Sequence, residues 1–146
     1  MDRYAPWLLR LFFWVVGIGL LVQGGVSLVL ALAGITPPAL TSTLLTTGVL
    51  HSLIHIAWAL ALLAAIIRRP PDRALAWWVI AFGASSIALG IVFILVDHPL
   101  GMPIEPSQNA FHFIDGPLGV LLGAWVLQTA RPIRAPAVAL GRITGA

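Results

Sequence analysis

Four long apolar runs, separated by short polar or proline-rich breaks, make up most of the chain. As helices they are long enough to cross about 30 Å of hydrocarbon, which takes about 20 residues. The pattern predicts spans over 7–34, 43–67, 75–97 and 108–130. The breaks between them have readable chemistry. "GITPPALTST" ends the first run and offers Thr41 or Ser42 as a helix N-cap for the second. "RRPPDR" is a charged proline turn between the second and third, and "DHPLGMPIEPSQ" is the longest connection, with Ser107 placed to cap the fourth. "RPIRAPAVALGRITGA" is a basic tail without a recognisable element. The small residues "ALAG" at 31–34 look like a signal-peptide cleavage site, but the apolar run before them is longer than such a peptide carries, so the first run reads as a retained span. The fold class that follows is all-α: a polytopic membrane four-helix bundle.

Composition strengthens this reading. The 146 residues suit one domain, and 60% of them are apolar while 9% are charged. Soluble domains run nearer about 45–50% apolar and about 25% charged. Cysteine is absent, which excludes disulfides, thiolate metal sites, iron–sulfur clusters and covalent haem attachment. All eight basic residues are arginine, and Arg3, Arg10, Arg68, Arg69, Arg73, Arg131, Arg134 and Arg142 fall on one side of the four spans. The opposite loops carry Asp97 and Glu105 and no arginine. The basic balance is therefore a topology signal and not a nucleic-acid surface. By the positive-inside rule, both termini are cytoplasmic in a bacterial-type plasma membrane. Tyr4, Trp7, Trp77, Trp78 and Trp125 then form an interfacial belt at the inner side.

Polar groups inside the runs change the picture most. With this topology His51 lies about 13 Å into the second span and His55 near mid-membrane. His112 is a turn into the fourth span with Asp115 below it, His98 ends the third span beside Asp97, and Gln23 on the first span lies near the depth of His55. All the histidines thus occupy the outer half. His51 and His55 are four residues apart and share a helix face; His112 and Asp115, three apart, share another. The two outer hairpins look alike, which is compatible with two parallel helical-hairpin repeats in which His51 and His112 face each other. Gly17 and Gly24, Gly83 and Gly90, and Gly116, Gly119 and Gly123 mark close helix contacts, within the chain or with another subunit.

Ionisable groups within spans are costly, so function is the first hypothesis for them. The plain alternative is that each histidine hydrogen-bonds Ser52, Thr47, Gln23 or a backbone carbonyl and fixes the bundle. A metal site is the first functional reading, built from His51, His55, His112 and Asp115. Imidazole and carboxylate suit zinc, copper or non-haem iron. Ser52 follows His51 where a zinc protease carries glutamate, which excludes that class. A tetrapyrrole is the second: His51 and His112, on different spans, could hold a b-type haem, or either alone a chlorophyll, walled by Trp58, Phe82, Phe93 and Phe111. Proton or solute handling by His55 and Asp115 is the third. Within the set, His51 better matches the depth of His112, and His55, near Gln23, suits a structural hydrogen bond. No phosphate loop, dinucleotide fingerprint or serine elbow is present.

The segments "LHSLIH" and "NAFHFIDGPLG" give the chain a family likeness. It resembles the small four-span bacterial integral membrane proteins grouped as a domain of unknown function. The resemblance implies the four-span layout over roughly residues 10–130 and carries no activity with it. The residues taken together point to a small non-catalytic membrane subunit or binding protein, holding a ligand or cofactor in a histidine-lined pocket. The alternative is a membrane metalloenzyme or a haem- or chlorophyll-bearing electron-transfer component. The expected partners are the lipid bilayer and other membrane subunits or further copies of the chain, with no nucleic acid.

Overall fold

A computed structural model describes residues 4–36, 45, 48–96, 98–102 and 106–129. Helix α1 is Ala5–Leu32, α2 Val49–Ile67, α3 Asp72–Leu95 and α4 Pro106–Thr129, with a short 3-10 turn at Pro99–Gly101. No strand occurs among the described residues. All four helices are long and apolar enough to cross a membrane. Only 17% to 39% of each apolar window is buried within the protein, so most of that apolar surface faces outward from the bundle. Helices suit this setting because every backbone donor and acceptor is satisfied within the segment. α4 even continues through Pro117, which lacks the N–H for its own turn.

The helix ends revise the expected boundaries. The second helix starts at Val49 and not near residue 43, because Gly48 turns the chain at φ 93, which suits glycine. His51 is therefore the third residue of its helix, in the first turn, and is not deep within it. Thr41 and Ser42 lie outside the described residues. The fourth helix begins at Pro106, so Ser107 sits inside its first turn and does not cap it. Between α2 and α3, Arg69 adopts φ 50 and Pro71 precedes the helix, with Asp72 in the first turn, where the helix dipole favours an acid.

The bundle is two tight helix pairs, α1 on α2 and α3 on α4. Contact between the pairs is thin, and α2 hardly approaches α4. What joins the pairs lies in the half nearer the arginines, a core of Phe12, Phe13, Leu62, Val79 and Val126. Arg10 and Asp72 add an ion pair at 2.6 Å, half-exposed, worth at most about 1 kcal/mol. Tyr4, Trp7, Trp77 and Trp78 are exposed at this end as an interfacial belt requires, whereas Trp125 is half-buried against the core.

Both pairs use the same packing register. Gly17 and Gly24 of α1 are seven residues apart, as are Gly83 and Gly90 of α3. Gly17 lies against Leu63 and Gly24 against His55; Gly83 lies against Val120 and Gly90 against His112. Eight residues separate His55 from Leu63, and eight separate His112 from Val120. The register therefore pairs His112 with His55, not with His51 as sequence likeness suggested. α3 and α4 approach most closely: a Cβ at Gly83 would collide with the Gly116 carbonyl, and one at Gly123 would lie 2.7 Å from the Ala76 carbonyl. The helix facing Gly119 and Gly123 is thus α3 of the same chain.

Candidate functional site

In the half away from the arginine-rich turn, the bundle is hollow where α2 and α4 stand apart. A cavity of about 550 Å³ lies there, touched by all four helices. His51, His55 and His112 project into it, and all three are buried. The four-residue spacing on α2 sets His51 edge to face with His55, ring centroids 4.6 Å apart. Gly24 lets α2 close onto α1 at this level, since a Cβ there would lie 2.9 Å from the Ser52 carbonyl and 3.0 Å from the His55 Cβ. Gly90 does the same for His112 on α3, again at 3.0 Å.

Across the gap, His112 lies 6.0 Å from His51 and 6.3 Å from His55 by ring centroids. One ring nitrogen from each of the three can be chosen so that all lie within 4.8 Å of one another. Tetrahedral zinc, with Zn–N bonds of about 2.1 Å, would need nitrogens about 3.4 Å apart. Small ring rotations, of about 1 Å at the nitrogens, bring three imidazoles to that spacing.

The hydrogen bonding of the three is unequal. Ser86 donates its single proton to Asp115 Oδ1 at 2.8 Å, so its oxygen can only accept from Nδ1 of His112, at 3.1 Å. That sets the tautomer of His112: hydrogen on Nδ1, lone pair on Nε2. The order acid–serine–histidine also excludes a nucleophilic triad, in which the histidine would stand between the other two. By contrast, both ring nitrogens of His51 and Nδ1 of His55 are buried without a hydrogen-bond partner among the described residues. Ser52, a candidate partner from sequence, donates its hydroxyl to the Gly48 carbonyl at 2.9 Å. Thr47 lies outside the described residues. A buried polar atom left unpaired costs about 1–3 kcal/mol. Depth does not separate His55 from His51, since both reach His112 at nearly the same distance.

Asp115 is not one of the three-nitrogen group; it lines the same cavity and is linked to His112 through Ser86. His98 is exposed in the connecting loop, in left-handed conformation, and also stands outside the group; Asp97 lies outside the described residues. Gln23, Trp58, Phe82 and Phe111 line the same cavity, and Phe93 packs on His51 at 5.7 Å and on His112 at 6.0 Å. Two participants gave little signal in the sequence. Ser86 is one of two adjacent serines in an apolar run, and only the neighbouring helix reveals its role. Asn109 donates to the Gly90 carbonyl at 3.2 Å and ties α4 to α3 above His112. No family model, curated protein or solved structure matches this chain, so the site is read from its own residues.

Proposed function

We propose that this is a small multi-pass membrane protein that holds one transition-metal ion, zinc, copper or iron, on His51, His55 and His112. The observation that carries the reading is the convergence of three buried imidazoles, of which the two from α2 have nitrogens without a hydrogen-bond partner among the described residues. Neutral imidazole is a ligand common to these metals, and a metal would give the orphaned nitrogens the partner that burial otherwise denies them. Ser86 and Asp115 supply the outer layer that metal-bound histidines usually carry, a hydrogen bond on the far ring nitrogen that fixes the tautomer. With both termini cytoplasmic, as the arginines argue, the site opens in the outer half of the bilayer. The protein then serves as a binding or cofactor-bearing subunit, and no general acid, base or nucleophile is assigned.

A haem between α2 and α4 is the weaker fit. Phe93 and His55 already wall the interval between His51 and His112, where a flat macrocycle needs an open slot.

The test is elemental analysis of the detergent-purified protein after exposure to each metal and dialysis. The reading expects about one ion per chain, lost in His51→Ala and in His112→Ala. Substoichiometric metal, with thermal stability indifferent to chelation, would remove it. A Soret band in the purified protein would favour haem instead.

A further inference from the structure

The cavity is polarised along the membrane normal. Its end toward the arginine-free side carries His51, His55, His112 and Gln23 beside Leu89 and Phe111; one turn inward its walls become mainly apolar, with Trp58, Phe82 and Val16 around Asp115. A lipid of the same leaflet has the same order, polar outward and apolar toward the midplane. The cavity also has a side opening. Val15 and Gly19 line it yet are exposed, and a Cβ placed at Gly19 would meet nothing within 4 Å. Both residues lie about 15–21 Å along α1, a depth at which the outside of the bundle is hydrocarbon. A ligand that passes this rim arrives from the bilayer, not from water.

Size and lining narrow the occupant. The volume of about 550 Å³ falls within the range of small-molecule pockets, about 300–1,000 Å³. Trp58 and Phe82 meet edge to face at 5.5 Å, one helical turn from His55 and Ser86 respectively. One turn is about 5.4 Å, about the width of an aromatic ring. A ring lying against these two side chains would carry a substituent oxygen to the level of the imidazoles. Three imidazoles also leave a fourth position on a tetrahedral metal, the feature of sites that take an exchangeable ligand.

We propose that the cavity binds a bilayer-dissolved phenol or quinol, which passes between lipids at the Val15–Gly19 edge of α1 and sets its hydroxyl oxygen against the histidine cluster. The proposal rests on the metal reading, because the hydroxyl takes the position that the three imidazoles leave on the ion. The apolar tail then lies toward the midplane, and the aromatic head against Trp58 and Phe82.

The experiment uses full-length protein in lipid nanodiscs, loaded with cobalt(II), whose visible bands report its ligand set. The probe is tritiated 4-hexylphenol, with hexylbenzene as the partner lacking oxygen. Saturable retention of one phenol per chain is expected, with a shift of the cobalt bands that hexylbenzene does not produce. Gly19→Leu adds bulk at the rim, where a Cβ meets nothing within 4 Å, and should weaken phenol retention at least about tenfold at unchanged cobalt content. Cobalt uptake without saturable phenol retention overturns this inference and leaves the metal reading standing. So does retention that Gly19→Leu leaves untouched, or a band shift that hexylbenzene reproduces. Failure of cobalt to bind removes both.

Discussion

The α1–α2 and α3–α4 hairpins share one packing register and differ in what they do with their histidines. In α3–α4, His112 is fully set before any ligand arrives: Gly90 seats its Cβ, Ser86 accepts from Nδ1, and Asp115 holds Ser86. In α1–α2, Gly24 seats His55 in the same way, but at the equivalent place on the first helix stands Leu20 and not a serine. Among the described residues, Nδ1 of His55 and both ring nitrogens of His51 are buried without a hydrogen-bond partner. One hairpin presents a pre-oriented lone pair, and the other presents nitrogens that want a partner. On the proposed reading, a metal ion in the gap would serve both.

The largest effect that separates the hairpins concerns packing. Gly83→Val should destabilise by about 3 kcal/mol or more, because the new side chain meets α4 backbone at Gly116 and Val120, which cannot yield. Gly24→Val should cost less, since it meets one backbone atom, the Ser52 carbonyl, where Gly83 meets two, and the Ile56 side chain beside it can move. Thermal unfolding in detergent ranks the two, and an inverse order would break the picture of α3–α4 as the tighter pair. Next comes the divided site. His112→Ala and His51→Ala should each abolish stoichiometric metal while leaving a folded bundle, read by metal content beside circular dichroism. A smaller effect sharpens the asymmetry: Ser86→Ala should weaken metal binding about 10- to 100-fold, the usual cost of losing an outer-layer partner. Leu20→Ser should act in the opposite direction or not at all, since it offers α2 a hydroxyl it now lacks. Competition titration against a chelator measures both. The smallest effect is Arg10→Ala, which removes the ion pair to Asp72 and should change stability by less than about 1 kcal/mol.

Much of this architecture was legible along the chain. Four hydrophobic runs and the spacing of the glycines announce spans and close contacts, because lipid imposes length and polarity rules that act residue by residue. The gathering of His51, His55 and His112 in one half was legible for the same reason. The start of α2 was not: "TSTLLTTG" is uncharged and offers several hydroxyl residues as caps, and the φ of Gly48 decides where the helix begins. Nor was the role of Asp115, read as a ligand from its spacing to His112. Ser86 of a different helix intercepts it, and no local pattern encodes which helix stands opposite. The equivalence of His55 with His112 was hidden too, since it is carried by the glycines of α1 and α3 and not by the residues flanking the histidines.

The central claim is that His51, His55 and His112 share one ion, and X-ray absorption at the metal edge addresses it most directly. After equilibration with zinc and dialysis, the account predicts one ion per chain whose first shell holds three imidazole nitrogens at about 2.0–2.1 Å, with the outer-ring scattering of imidazole. A first shell of oxygens alone, or zinc that dialysis removes, would contradict it.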